Sequence, residues 1–225
     1  MKPKIACSPN GPYRLVNDPT PVSVDTLQGA TGQTYKAAVG FSLCRCGGSK
    51  NKPFCDGTHS TNGFRDQKLA DPAKNTRKAY TGKSITIFDN RAICAHAGFC
   101  TDGLKEVFKD EGKPWIDPDG AAVARIIETI EKCPSGALSY AIDGKEVLDR
   151  PGPPCVTVTK DGPYSVSGGV ELAGVTFGDG ASKEHYTLCR CGASKNKPFC
   201  DGSHKKIEFQ SVCPARQLPP PAPKP

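Results

Sequence analysis

Apolar and polar residues alternate along short runs of this chain, and glycine or proline closes each run. Gly11-Pro12-Tyr13-Arg14-Leu15 opens one run as a turn leading into a strand, and Gly162-Pro163-Tyr164-Ser165-Val166 opens another in the same way. Further strands are expected at 22–24, 37–43, 170–177 and 185–188, because alternation between glycine-rich turns marks antiparallel strands. The pattern changes in the middle of the chain. Residues 83–88 (KSITIF) read as a strand, 103–110 as a short helix and 114–116 as an extended piece. Val123, Ile126, Ile127 and Ile130 fall at helical spacing, which predicts a helix capped by Asp119, running through about Lys132 and ended by Cys133-Pro134. Residues 137–142 return as a strand.

These changes of pattern predict an α+β chain in four parts: a β-rich module over 1–70, a mixed α/β module over 80–148, a second β-rich module over 155–213 and a Pro-rich tail over 214–225. Residues 65–82 are polar and charged and read as a linker or edge segment. Pro151-Gly152-Pro153-Pro154 is a stiff linker, and the tail is expected to be extended or disordered.

Inside the β-rich modules a long motif appears twice. Residues 44–59 read CRCGGSKNKPFCDGTH and residues 189–204 read CRCGASKNKPFCDGSH, differing only at Gly48/Ala193 and Thr58/Ser203. Each copy offers three thiols and one imidazole: Cys44, Cys46, Cys55 and His59, then Cys189, Cys191, Cys200 and His204. Soft thiolates select zinc, copper(I) or iron–sulfur clusters, and imidazole suits zinc and iron. Zinc motifs usually place two to four residues between paired cysteines, whereas a single arginine separates the first pair here. One pair can serve one iron and the later Cys and His a second. That division suits a 2Fe–2S cluster better than one tetrahedral zinc.

Cys-x-Cys, Ser49, Pro53 and Cys55-Asp56-Gly57-Thr58-His59, repeated as Ser194, Pro198 and Cys200-Asp201-Gly202-Ser203-His204, resemble the CDGSH iron–sulfur (mitoNEET-like) family. The resemblance implies two 2Fe–2S clusters, each held by three Cys and one His in a small β-rich fold. Thr58 stands where the family name has Ser, a hydroxyl-for-hydroxyl change. Asp56 and Asp201 are expected to cap short helices, and Gly57 and Gly202 to let backbone approach the cluster. Relatives with one motif form intertwined homodimers, so two motifs in one chain predict a pseudo-symmetric monomer.

The middle region carries Cys94, Cys100 and Cys133, the last in Cys133-Pro134-Ser135-Gly136. Its spacing is similar to that of single-cluster bacterial ferredoxins, with Ala97 at the position expected to hold a further ligand. This implies a ferredoxin-like α/β module with a cluster on Cys94, Cys100 and Cys133. Three cysteines alone suit 3Fe–4S; with His96 as fourth ligand the cluster is 4Fe–4S. Both readings stay open. Cys7, Cys155, Cys213 and His185 fall outside the motifs and are not assigned as ligands.

Composition narrows the rest. Of 225 residues 36% are hydrophobic, with 24 glycines and 21 prolines, which argues for small metal-stapled modules rather than one large core. The twelve cysteines open with MKPKIACSPN rather than an apolar signal region, and no run is long enough to span a membrane, so reduced thiols in a cytoplasmic setting are expected. A net charge of +7 raises nucleic acid as a partner, but no aromatic-interleaved basic stripe or helix-turn-helix pattern supports it. Arg45, Lys50, Lys52, Arg190, Lys195 and Lys197 lie beside the motifs, to offset cluster charge, to dock an acidic redox partner, or as ordinary surface. No nucleotide loop or catalytic triad is visible. The chain reads as an electron carrier working with a redox partner protein, or else as a cluster donor to an apo-acceptor or a redox and pH sensor.

Overall fold

The computed structural model describes residues 3–16, 26–29, 34–36 and 42–211. The strand expected at 22–24, most of that at 37–43, Cys213 and the Pro-rich tail lie outside the described residues. In chain order the first segment gives β1 (Lys4–Cys7), β2 (Tyr13–Val16), β3 (Thr26–Gly29), β4 (Thr34–Lys36) and β5 (Ser42–Leu43). The middle gives β6 (Lys78–Thr81), β7 (Thr86–Asp89), α1 (Phe99–Gly103), α2 (Val123–Glu131), β8 (Leu138–Ile142) and β9 (Lys145–Val147). The last segment gives β10 (Cys155–Val158), β11 (Tyr164–Ser167), β12 (Glu171–Ala173), β13 (Tyr186–Leu188) and α3 (Ser203–Lys206). The architecture is mixed, with several small sheets and few helices.

Period-two burial is visible where the sequence alternates. Tyr13 and Leu15 are buried while Arg14 between them is exposed, and Val156 and Val158 are buried either side of half-exposed Thr157, as Tyr164 and Val166 are either side of half-exposed Ser165. The β1–β2 hairpin pairs Ile5 with Leu15, and the β10–β11 hairpin pairs Val156 with Val166. Each hairpin then takes a strand from the other end of the chain. β12 lies parallel to β1, with Ile5 opposite Leu172, and β3 lies parallel to β10, with Val156 opposite Leu27. One sheet therefore runs β12-β1-β2-β5 and the other β13-β11-β10-β3-β4.

Two tyrosines fasten the halves. Tyr13 directs its hydroxyl to the carbonyls of Cys189 and Pro198 at 2.8 and 3.0 Å. Tyr164 reciprocates with the carbonyls of Cys44 and Pro53, both at 2.9 Å. Their rings meet edge to face with centroids 6.0 Å apart.

The middle region is an antiparallel meander, β6-β7-β8-β9. Ile126 and Ile130 of α2 are buried, four apart on one face, as their spacing predicts. Two expectations are corrected. The first helix is Phe99–Gly103 rather than 103–110: Gly98 turns into it with a φ of 88°, and Phe108 is drawn out as an extended partner of Ile116. Asp119 does not cap α2, since its carboxylate accepts the amide of Lys83 and the helix begins after Ala122 without a side-chain cap.

The middle region packs against the last segment. Asn196 donates to the carbonyl of Ala92 at 2.8 Å, and Asn90 donates to that of Asp179 at 3.1 Å. Consequently one contiguous cluster of buried side chains runs from Ile5 through Ile87 and Ile126 to Leu188 and Phe199. Exchanged strands and docking thus join the buried side chains of the small sheets into a shared core. No helix among the described residues is long and apolar enough to cross a membrane.

Candidate metal centres

In the first motif, a backbone bridge between Leu43 and Phe54 sets the geometry. Cys44 N donates to Pro53 O and Cys55 N to Ser42 O, both at 2.8 Å, so the two cysteines stand on neighbouring hydrogen-bonded strands. Ser49 Oγ donates to Phe54 O at 2.6 Å and Lys52 Nζ to Ser49 O at 2.6 Å, closing the loop between them. Asp56 ties the loop to the turn that follows: Oδ2 accepts from Lys50 N, and Oδ1 from Thr58 N and Thr58 Oγ1 at 3.0 and 2.7 Å. Partial burial opposes ionisation of Asp56, but these donors outweigh it and bring its pKa down to about 2. Gly57, with φ of 87°, aims its amide at Cys55 Sγ, 3.4 Å away.

The donors come together as two pairs. Cys44 Sγ lies 3.9 Å from Cys46 Sγ, and Cys55 Sγ lies 3.3 Å from His59 Nδ1. The second motif repeats this with 3.8 Å between Cys189 and Cys191 and 3.4 Å between Cys200 Sγ and His204 Nδ1. Burial pushes Cys44 up to about 11 and raises Cys200 further, so these thiols surrender their protons only to something that compensates the charge. Among the described residues no three donors converge on one point as a single metal ion requires. A two-iron cluster takes two ligands per iron, and the paired arrangement fits it.

The copies differ in setting. Cys55 and His59 are half-exposed and Gly57 exposed, whereas Cys200 and His204 are 2% and 8% exposed. The flanking cations do not form a free basic surface. Arg45 and Arg190 are 3% and 1% exposed. Arg190 donates to Gly162 O and Thr159 O, each at 2.7 Å, and to Ser211 Oγ at 2.6 Å, while Arg45 reaches Asp66 at 3.3 Å. Lys197 is buried with its ammonium on Ser194 O at 2.6 Å; Lys50 and Lys195 remain exposed. The arginines hold the fold, and of the cations beside the motifs Lys50 and Lys195 are the exposed ones.

Cys94, Cys100 and Cys133 line one cavity of about 520 Å³, together with His96, Asp89, Trp115 and Lys205. Asn90 accepts from Ala92 N at the turn before Cys94, α1 carries Cys100, and the end of α2 delivers Cys133. Burial, and then the neighbouring Cys133 and Cys94, push Cys100 up to about 11. A roomy cavity with thiols brought in from three separate stretches of chain fits a cluster in which each cysteine holds a different iron. His96 takes a left-handed φ of 53° and lays its ring against Gly202 of the second motif. Cys7 and Cys155 stand in strands as free thiols, and His185 is buried beside Ser182 Oγ at 2.9 Å, apart from any donor set. Sequence reasoning missed Lys205 and Asp89 as cavity walls; only tertiary packing brings them there.

Residues 10–60 and 161–205 match the family described as iron-binding zinc finger, CDGSH type. Residues 80–143 match the family described as divergent 4Fe-4S mono-cluster. The chain is 44% identical over 75 residues to the uncharacterized protein YjdI of Escherichia coli strain K12, an alignment covering 33% of this chain and 95% of YjdI. YjdI of Escherichia coli O157:H7 is similar to the same extent. No solved structure matches the chain. The chain belongs to the family of YjdI, and it carries two CDGSH-type iron-binding regions with a divergent 4Fe–4S mono-cluster domain between them.

Proposed function

We propose that this iron–sulfur protein binds two 2Fe–2S clusters and one 3Fe–4S or 4Fe–4S cluster, and carries single electrons to and from a protein partner. The 2Fe–2S ligands are Cys44, Cys46, Cys55 and His59, and Cys189, Cys191, Cys200 and His204; Cys94, Cys100 and Cys133 hold the third cluster in a ferredoxin-like middle module. The supporting observation is the twice-repeated pairing of Cys with Cys and Cys with His Nδ1 at 3.3 to 3.9 Å. Cluster chemistry supplies one-electron exchange. The chain supplies amides from Gly57 and Gly202 to the cysteine sulfurs, a lever on potential, and a buried lock between the halves. The strand exchange supports a monomer that contains its own pseudo-dimer.

One observation favours a second reading. Half-exposed Cys55 and His59 leave the first site open to an acceptor, as a cluster donor or sensor requires. Spectroelectrochemical cycling of anaerobically purified protein, followed by incubation with an apo-ferredoxin, separates the two. Reversible cycling with iron retained supports the carrier; iron and sulfide moving intact to the acceptor establish the donor and contradict the carrier.

A further inference from the structure

The two CDGSH motifs are almost the same in sequence and sit in different surroundings. Around Gly57 nothing lies within 4 Å of where a side chain would begin, whereas the matching space at Gly202 is filled by the His96 ring. Lys205, which follows His204, walls the cavity of Cys94, Cys100 and Cys133. Asn196, inside the second motif, holds the carbonyl of Ala92, two residues before Cys94. On its other side the second motif meets the first back to back. A side chain on Gly192 would strike the carbonyl of Cys46, and one on Gly47 would strike that of Cys191. The donor sets therefore stand in a row: middle, second CDGSH, first CDGSH.

Resting on the iron–sulfur reading above, we infer that the second CDGSH site is a covered junction, joined to the middle site through His96 and Lys205 and to the first through the Gly47–Cys191 and Gly192–Cys46 contacts, and that the first CDGSH site is the solvent-facing terminus, through which electrons pass between the chain and an external one-electron carrier. The exchange there is one electron, given to or taken from that carrier, with no bond made or broken and no proton moved. The near-identical ligand sets thus differ in accessibility and in magnetic coupling because of what the middle region covers.

The experiment is EPR on the full chain, reduced anaerobically, with and without a water-soluble gadolinium chelate. His59→Cys and His204→Cys assign the two 2Fe–2S signals, each variant shifting its own signal or, should that cluster be lost, deleting it. The expected result is that the chelate speeds relaxation of the His59 signal, while the His204 signal resists it and shows splitting from the middle cluster. His96→Ala in the otherwise native chain is expected to shift the His204 signal and leave the His59 signal in place. Equal chelate sensitivity, or coupling of the His59 signal to the middle cluster, overturns the inference while leaving the iron–sulfur reading intact. A chain that binds no iron overturns both.

Discussion

A neutral imidazole in place of a thiolate removes one negative charge from a cluster's ligands, so His59 and His204, as the proposed ligands, are expected to act on its potential directly. His59→Cys or His204→Cys is expected to lower the midpoint of the affected cluster on the order of 100 mV, taking two-imidazole sites as the upper guide. Spectroelectrochemical titration reads this, and unchanged or raised midpoints contradict the ligand assignment. Tyr13 and Tyr164 act on the fold instead. Removing either hydroxyl leaves buried carbonyls short of a donor, so Tyr13→Phe should cost about 1–2 kcal/mol, measured as a lower urea midpoint. No loss would mean that water or a rearrangement replaces the bond. His185 adds a pH dependence. Burial, and then Arg150, bring its pKa down to about 4, below the ordinary histidine value near 6.5. Between those values the unfolded chain binds more protons than the folded one. This contribution is complete above about pH 6.5, declines as pH falls through the window and levels off below about pH 4. Urea midpoints of the native chain and His185→Gln should therefore converge towards acid pH; parallel curves refute the assignment.

Element by element, β2, β7, β8, β11, β13 and α2 follow local rules, and so they were legible, whereas β1, β9 and β10 were not expected. Period-two burial at Tyr13 and Leu15 and the i, i+4 pair Ile126 and Ile130 stand where the alternation places them. The pairing of Cys44 with Cys46 and of Cys55 with His59, and its repeat in the second motif, was also legible, since spacing inside a motif is local. What was not legible is everything made by distant pairing. Tyr13 and Cys189 are 176 residues apart, and nothing in either stretch announces the other. The exchange of β3 and β12, the burial of Arg45 and Arg190, and the contact of His96 with Gly202 belong to the same class. The misplaced helix at 103–110 fails for a related reason: Leu104, Val107 and Phe108 are apolar at near-helical spacing, yet all three are buried in the common core, with Phe108 paired to Ile116. The back-to-back contact of the motif loops gives a sharp test. Gly47 has φ of 75°, and an added Cβ would meet the Cys191 carbonyl. Gly47→Ala is thus both strained and obstructed and is expected to destabilise by about 2–4 kcal/mol, seen in thermal or urea unfolding. A neutral outcome would show that the loops do not touch.

At the scale of the whole molecule, strands exchanged within one chain pair the β1 and β10 edges that each hairpin alone would leave open. The predicted solution state is a monomer. Light scattering giving the mass of one chain at all accessible concentrations supports this, and a concentration-independent dimer contradicts it. The chain places three donor sets, and all three are expected to hold iron and sulfide. The direct measurement is iron and sulfide quantitation with EPR of anaerobically purified protein, before and after reduction. The prediction is about seven or eight irons and about eight sulfides per chain, counted from two 2Fe–2S clusters and one 3Fe–4S or 4Fe–4S cluster. Reduced 2Fe–2S signals should appear, accompanied by an oxidised 3Fe–4S or a reduced 4Fe–4S signal. Zinc in place of iron, with no EPR signal in either state, would contradict it.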